Sequence, residues 1–171
     1  MKKRILLLMV ALMAVTGMSA QSIVGTWADE PEKDESGQTE QVILNIGQKT
    51  FEMNILVDSS DEETGTVIVS VSLPGTYTCK DSQLVVALDT EHADAKIEKM
   101  EFTKEIQAVF DEMPEMKTMI DNKMAEMVNG LGASLKQQYG NSITFEIIEL
   151  TDAKLTLKEQ NDDELKTFIR Q

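Results

Sequence analysis

The chain has 171 residues, which is enough for one domain of ordinary size. Its 30 acidic residues outnumber 16 basic ones, and the resulting net charge of −14 repels nucleic acid and anionic lipid headgroups. A single cysteine excludes an internal disulfide, so the hydrophobic core has to supply the stability. We therefore expect a highly acidic protein with no nucleic-acid partner.

Residues 1–20 have the order of segments that a secretory signal peptide requires. Basic residues occupy positions 2–4, and an apolar run of about a dozen residues follows at 5–15. This run is too short to span a bilayer, so we expect cleavage near Ala20 and no membrane anchor. Removing the three basic residues of the leader leaves 13 basic against 30 acidic residues, a net charge of about −17. The expected product is a single domain, residues 21–171, in the periplasm or outside the cell.

Most of this domain consists of short runs in which apolar and polar residues alternate, as in half-buried β-strands. Pro74 and Gly75 interrupt one run and predict a bulge or bend, because proline cannot donate to a strand ladder. Beyond this bend Tyr77 and Cys79 share one face, and we expect Cys79 to be a buried, inert thiol. The predicted strands lie in IVGTWA, QVILNIG, TFEMNILVD, TVIVSVSL, QLVVALD, SITFEIIEL, AKLTLKE and LKTFIR.

The connections between the predicted strands are short and rich in turn residues, which predicts antiparallel hairpins. About eight to ten strands result from this pattern. A meander of this size buries its apolar face and removes its exposed edges by closing on itself. We therefore predict a mainly β fold, an antiparallel up-and-down β-barrel with room inside for side chains or one small ligand.

Residues 103–139 follow a helical period and predict an α-helical insertion in the barrel. Met113 precedes Pro114, so a first helix should end there and a second helix should begin at Pro114. The second helix has one apolar face, and we expect Gly130 and Gly132 to loosen or end it before a short third piece. The apolar face consists of Met116, Ile120, Met124, Met127 and Leu131.

The motif GTW, from Gly25 to Trp27, resembles the Gly-x-Trp signature at the first strand of the lipocalins. In that family the tryptophan closes the bottom of the barrel, and an arginine near the end of the last strand packs over its ring. The resemblance assigns these structural roles to Gly25, Trp27 and Arg170, and such a stack is worth about 0.5–2 kcal/mol. The runs LPGTYTCKDSQLVVAL and FEIIELTDAKLTLK are similar to strands of bacterial lipocalin-like proteins. The resemblance thus implies a secreted lipocalin-like barrel that carries the helical insertion.

Residue types that carry catalysis are sparse in this sequence. His92 is the only histidine, so a catalytic triad or a two-histidine metal site lacks its parts. The acidic runs at 58–63 and 161–164 lack the spacing and central glycine of a calcium loop. We interpret both as solvated turns, with weak calcium binding as the alternative. We expect no catalytic residue, no cofactor, no metal and no enzymatic activity.

Three functional hypotheses remain open. The first is a binding protein for a small hydrophobic or amphipathic ligand, held in a barrel pocket that the methionine-rich helix caps. The second is a protein–protein interaction module that uses the helix face, and the third is a packed barrel without a ligand. We expect a monomer rather than a homodimer, with the apolar helix face packed against the barrel; the second hypothesis instead leaves this face exposed, which monomers normally avoid. The candidate ligand contacts are Phe51, Met53, Tyr77, Met113, Met116, Ile120, Met124 and Met127.

Overall fold

The structure, a computed structural model, describes residues 22–140, 142–160 and 162–171. The predicted leader, its cleavage near Ala20 and position 161 of the second acidic run lie outside the described residues. In the described ranges the elements are β1 Gly25–Ala28, β2 Glu32–Lys33, β3 Thr39–Ile46, β4 Thr50–Asp58, β5 Gly65–Lys80, β6 Gln83–Leu88, β7 Asp94–Phe102, α1 Lys104–Glu112, α2 Pro114–Tyr139, β8 Ser142–Leu150, β9 Lys154–Glu159 and β10 Leu165–Arg170.

Eight of the described strands form a closed antiparallel barrel. Their order around the ring is β1-β10-β9-β8-β6-β5-β4-β3, and β3 pairs with β1 to close it. At the closure Trp27 lies opposite Arg170 of β10 on one side and opposite Leu44 of β3 on the other. The predicted mainly β, lipocalin-like barrel with a helical insertion is therefore confirmed, with β2 and β7 as additional strands at its margin.

The barrel interior is filled mainly by side chains from the inward face of each strand. Along β3, for example, Val42, Leu44 and Ile46 are buried, while the residues between them are half-buried. This alternation follows from the pleat, which sends successive side chains to opposite faces of the sheet. The largest side chains with almost no exposed surface are Trp27, Leu73, Leu84, Val86, Leu155 and Leu157.

Strand β5 is one continuous strand of 16 residues, so the bend predicted at Pro74 and Gly75 is wrong. Its first half pairs with β7 up to Ser72, and its second half pairs with β6 from Gly75 onward. Pro74 lies where β5 changes its partner from β7 to β6. Because neither ladder needs a donor at this position, the missing N–H of proline breaks no strand hydrogen bond. Its carbonyl oxygen accepts a hydrogen bond from the Asp89 N–H at 2.8 Å. A Cβ on Gly75 would lie 2.5 Å from the Ala87 carbonyl oxygen, which explains the glycine.

Strand β7 was not predicted from the sequence. It continues the line of β6 along the same edge of β5, and its register shifts between Ile68 and Val69 of β5. The shift places an extra residue, Glu98, between two stretches with alternating burial, and this break conceals the strand period. The apolar–polar alternation of β7 can therefore be recognised only if a one-residue bulge at Glu98 is allowed for.

The two helices pack on β7 and on each other. The break at Met113 and the start of α2 at Pro114 are confirmed. By contrast, α2 continues past Gly130 and Gly132 to Tyr139, so the predicted third piece is wrong; each glycine costs only about 1 kcal/mol relative to alanine in a helix. The helix ends at Gly140, whose φ of +60° suits the left-handed cap. Among the described residues, no helix has the length and apolar character that crossing a membrane requires.

Candidate functional site

A small cavity opens at the end of the barrel where β3 and β10 begin and β9 ends. Its volume is about 70 Å³. The cavity has an apolar wall and a charged rim. The wall consists of Val42, Leu44, Met53, Ile143, Phe145, Leu157 and Phe168, and the rim consists of Glu40, Glu159, Asp162, Glu164 and Lys166.

The change from apolar wall to charged rim occurs along the inward face of strands such as β3 and β10. On β3, Glu40 stands two residues before Val42, and on β10, Lys166 stands two residues before Phe168. Residues two apart share one face of a strand, so the same side-chain row changes from apolar to charged at the mouth. Sequence reasoning missed this rim, although a charged residue that continues an inward row at a strand end was a visible signal.

The rim is electronegative, with four carboxylates and one ammonium group. Three further carboxylates, Asp29, Glu30 and Glu32, lie in the adjoining depression, which shares Glu164 and Lys166 with the cavity rim. Burial raises the pKa of Asp29, against the lowering effect of the Val42 N–H, which donates to its Oδ1 at 2.8 Å. An excess of negative charge around a mouth with apolar walls concentrates the field there, so this end of the barrel attracts cations.

The size of the cavity limits what enters it. A cavity of roughly 150 Å³ in another protein binds benzene, and this one has about half that volume, 70 Å³. Drug-sized ligands occupy pockets of about 300–1,000 Å³. In this conformation the wall therefore has room for a short alkyl group, while the remainder of a ligand would stay at the rim.

Three of the predicted contact residues belong to the barrel strands, and one of them lines the cavity. Met53 forms part of the apolar wall, whereas Phe51 is buried in the core outside the lining. Tyr77 is half-buried, and its hydroxyl donates to the Gly47 carbonyl oxygen at 2.9 Å. Burial raises the pKa of this phenol. The structure therefore brings Met53 to the cavity and leaves the other two in structural contacts.

The five predicted contacts on the helical insertion lie away from the cavity. None of the α2 side chains that the structure describes is part of its lining. Ile120 and Met124 are half-buried, whereas Met113, Met116 and Met127 are 46%, 36% and 47% exposed. Helix α2 thus covers β7 with one face and leaves methionines on its surface, rather than closing the mouth that the structure shows.

Trp27 and Arg170 meet at the opposite end of the barrel. The Arg170 Cζ lies 4.3 Å from the centroid of the Trp27 ring, and the indole Nε1–H donates to the Ile23 carbonyl oxygen at 2.8 Å. The guanidinium also donates to the carbonyl oxygens of Val24 at 3.1 Å and Ser22 at 2.9 Å. This arrangement binds the first described residues to the last strand and closes that end of the barrel.

The remaining groups with reactive chemistry are on the surface. His92 Nδ1 lies 2.8 Å from Asp89 Oδ2, and the hydrogen bond to this carboxylate raises the imidazole pKa. Cys79 is exposed, so its predicted burial is wrong: it lies one residue before the end of β5, beside a turn where solvent reaches the strand. The described residues contain no group of three His, Cys, Asp or Glu side chains arranged to hold a metal.

Comparisons with known proteins give a match among solved structures. No family model matches the chain, and no curated protein matches its sequence significantly. A crystal structure of a lipocalin-like protein from Bacteroides uniformis matches 87% of this chain and 97% of its own chain, with 14% identity and a TM-score of 0.38. The barrel described above follows from the strand pairing of this chain.

Proposed function

We propose that the protein is an exported binding protein for a small amphipathic ligand, with a short apolar end in the cavity and a cationic end at the rim. The observation that supports this proposal is the row of apolar wall residues that ends in four carboxylates. Leu157 and Glu159 illustrate it, since the same inward row of β9 offers a methyl surface and then a negative charge.

The expected affinity is modest. Each buried methylene contributes about 0.8 kcal/mol, so an alkyl chain of three or four carbons contributes roughly 2–3 kcal/mol. Exposed ion pairs add about 0–1 kcal/mol each at the rim. With one or two such ion pairs the sum is about 2–5 kcal/mol, which corresponds to a dissociation constant of roughly 0.2–30 mM. Tighter binding requires the wall to widen and admit more of the ligand.

A matched series of short ligands tests the charge preference. Butylammonium, 1-butanol and butyrate have the same alkyl chain, and we expect them to bind in that order of decreasing affinity. Chemical shifts of the Met53 methyl group, which belongs to the cavity wall, report binding in the cavity itself. Equal affinities for the three, or shifts that bypass Met53, would contradict the proposal. If none of them binds, the packed barrel without a ligand is the better description.

Two charge-neutralising variants test whether the preference for a cationic ligand arises at the rim. Glu159→Gln removes a rim carboxylate and should weaken the binding of butylammonium about twofold to fivefold while leaving the binding of 1-butanol unchanged. Glu126→Gln removes an exposed carboxylate on α2, outside the cavity lining, and serves as the matched control. The same loss in both variants would show a general charge effect rather than recognition at the rim.

Export and the absence of catalysis are part of the same proposal. The order of charged and apolar residues in positions 1–20 supports export. The mass of the protein recovered from outside the cytoplasm should correspond to a start near Gln21, and recovery of the uncleaved chain would contradict this. A ligand that co-purifies should be recovered chemically unchanged, and its conversion by the protein would indicate an enzyme.

A second candidate function is supported by the surface of the helices. Val109, Met119 and Met127 are large apolar side chains that remain exposed. Such side chains are typical of contact sites for other proteins when they form a continuous patch. Sedimentation over a wide concentration range distinguishes the two: a single monomeric species supports the binding protein, and reversible self-association supports the interaction module.

A further inference from the structure

Three exposed methionines form a row at the junction of α1 and α2. Met113, Met116 and Met119 are three residues apart, and 46%, 36% and 52% of their surfaces are exposed. They take no part in the cavity wall or in the hydrophobic core of the described residues. Solvent-facing positions are usually polar, so exposed thioethers at Met113, between the two helices, and at Met116 and Met119 of α2 require another explanation.

The helix leaves this row on its outer side. Ile120, Met124 and Val128 are half-buried on the side that meets β7. At 100° per residue, Met119 points away from that side and Met116 lies at its margin. The preceding helix is fixed to the barrel by Phe110, which is 3% exposed and meets the Phe102 ring edge to face at 4.9 Å. The row therefore sits on a supported surface and remains open to solvent.

The spacing allows the three sulfur atoms to converge. The Met116 N–H donates to the Met113 carbonyl oxygen at 3.0 Å, so the chain turns tightly between these two residues. Met116 and Met119 are one helical turn apart, where Cβ atoms are about 5–6 Å from each other. Methionine has three rotatable side-chain bonds, enough for the outer two thioethers to bend toward an ion held above Met116.

Thioether sulfur is a soft, neutral ligand, and among the biological metals it selects Cu(I). Calcium and magnesium prefer oxygen, and zinc prefers thiolate and imidazole. Glu112 and Glu115 are exposed beside the row and make its surroundings favourable to a cation. We infer that Met113, Met116 and Met119 form a surface site for one Cu(I) ion. The expectation of no metal considered histidine, cysteine and carboxylates, whereas this site uses sulfur from methionine.

The site is tested by anaerobic titration of the Cys79→Ser protein with Cu(I), in competition with a chromophoric Cu(I) chelator, because the exposed Cys79 thiol would otherwise bind the ion in place of the methionines. The redox-inert ion Ag(I) serves as a second probe, with methionine methyl signals recorded by NMR. We expect one ion per chain, with shifts of the methyl signals of the three row residues. The absence of binding, or shifts that bypass this row, would overturn the inference.

Methionine-to-leucine variants separate sulfur ligation from apolar contact, because leucine keeps a similar volume and helix propensity. Met116→Leu removes the central ligand and should weaken Cu(I) binding roughly tenfold or more. Met127→Leu is the matched control: it is 47% exposed on the same helix, but about 16 Å along the axis from Met116.

The inference requires that Met116→Leu binds Cu(I) more weakly than Met127→Leu does. Circular dichroism of both should match the parent protein, so that a loss of ion binding cannot be ascribed to unfolding. All samples contain the same methionines except for the one that is substituted. Undiminished Cu(I) binding by Met116→Leu, or equal losses in both variants, would overturn the site and leave the exposed row as a surface for protein contact.

Discussion

Replacing Arg170 by alanine should loosen the closed end of the barrel. This side chain joins β10 to the segment before β1, through its donation to the carbonyl oxygens of Val24 and Ser22 and its stacking on Trp27. Because these contacts connect the first described residues to the last strand, their loss removes an interaction at the point where the ring closes.

The size of the expected loss of stability follows from these contacts. A hydrogen bond to a charged group contributes about 1.5–3 kcal/mol when buried and less near solvent, and the stack contributes about 0.5–2 kcal/mol. The Nε atom of Arg170 is buried and has no hydrogen-bond partner among the described residues, which offsets part of the gain. We expect Arg170→Ala to lower the free energy of unfolding by about 2–3 kcal/mol. The free energy of unfolding of Arg170→Lys should lie between those of the parent protein and Arg170→Ala, because lysine keeps the charge without the planar guanidinium.

Urea unfolding followed by tryptophan fluorescence measures this effect directly. Trp27 is the single tryptophan of the chain and is fully buried, so its emission reports the site of the change. With a slope of about 2 kcal/mol per molar urea, the midpoint should fall by roughly 1–1.5 M. Lys49→Ala removes a positive charge from an exposed turn and is the control. A shift equal to that of the control would refute the assigned role of the contacts.

Three further predictions concern other parts of the molecule. Burial raises the pKa of Asp29, so its ionised form weakens the folded state once the pH rises through that pKa; Asp29→Asn should raise the urea midpoint at pH 7, and the gain should vanish on acidification. The imidazole of His92, followed by NMR, should titrate above the usual 6.5, and Asp89→Asn should lower its pKa. Phe110→Ala removes a buried ring that meets Phe102 edge to face and should cost about 3–4 kcal/mol within the helical unit. Hydrogen exchange should then accelerate in α1 and α2 while the barrel amides stay protected, and uniform acceleration would contradict this.

Sequence periodicity predicted the barrel well where one face of a strand is buried. In β4, Phe51, Met53 and Ile55 alternate with polar residues, and the structure buries all three. It failed where geometry depends on a neighbouring strand. Pro74 was predicted to bend β5 because a proline disturbs a ladder, but here the ladder changes partner at that residue. No local pattern carries that information.

The candidate cavity was harder to predict than the fold. Met53 was singled out as an apolar inward residue and lines the cavity, whereas the charged rim was not considered. Which strand ends share a mouth depends on the order of strands around the ring, and β8 follows β6 there although β7 and two helices separate them in sequence. The apolar period of α2 likewise showed that one face is buried, but not whether that face meets the mouth or β7.

The closure of the ring by the two ends of the chain has a consequence for folding. The contact between Arg170 and Val24 joins residues 146 positions apart, and such long-range contacts make folding slow, on the order of milliseconds to seconds. While the chain is being synthesised, β1 and β9 lack their shared neighbour until β10 has emerged, and both then present unpaired backbone edges. The last six strand residues, Leu165–Arg170, thus determine when a growing chain stops being prone to aggregation.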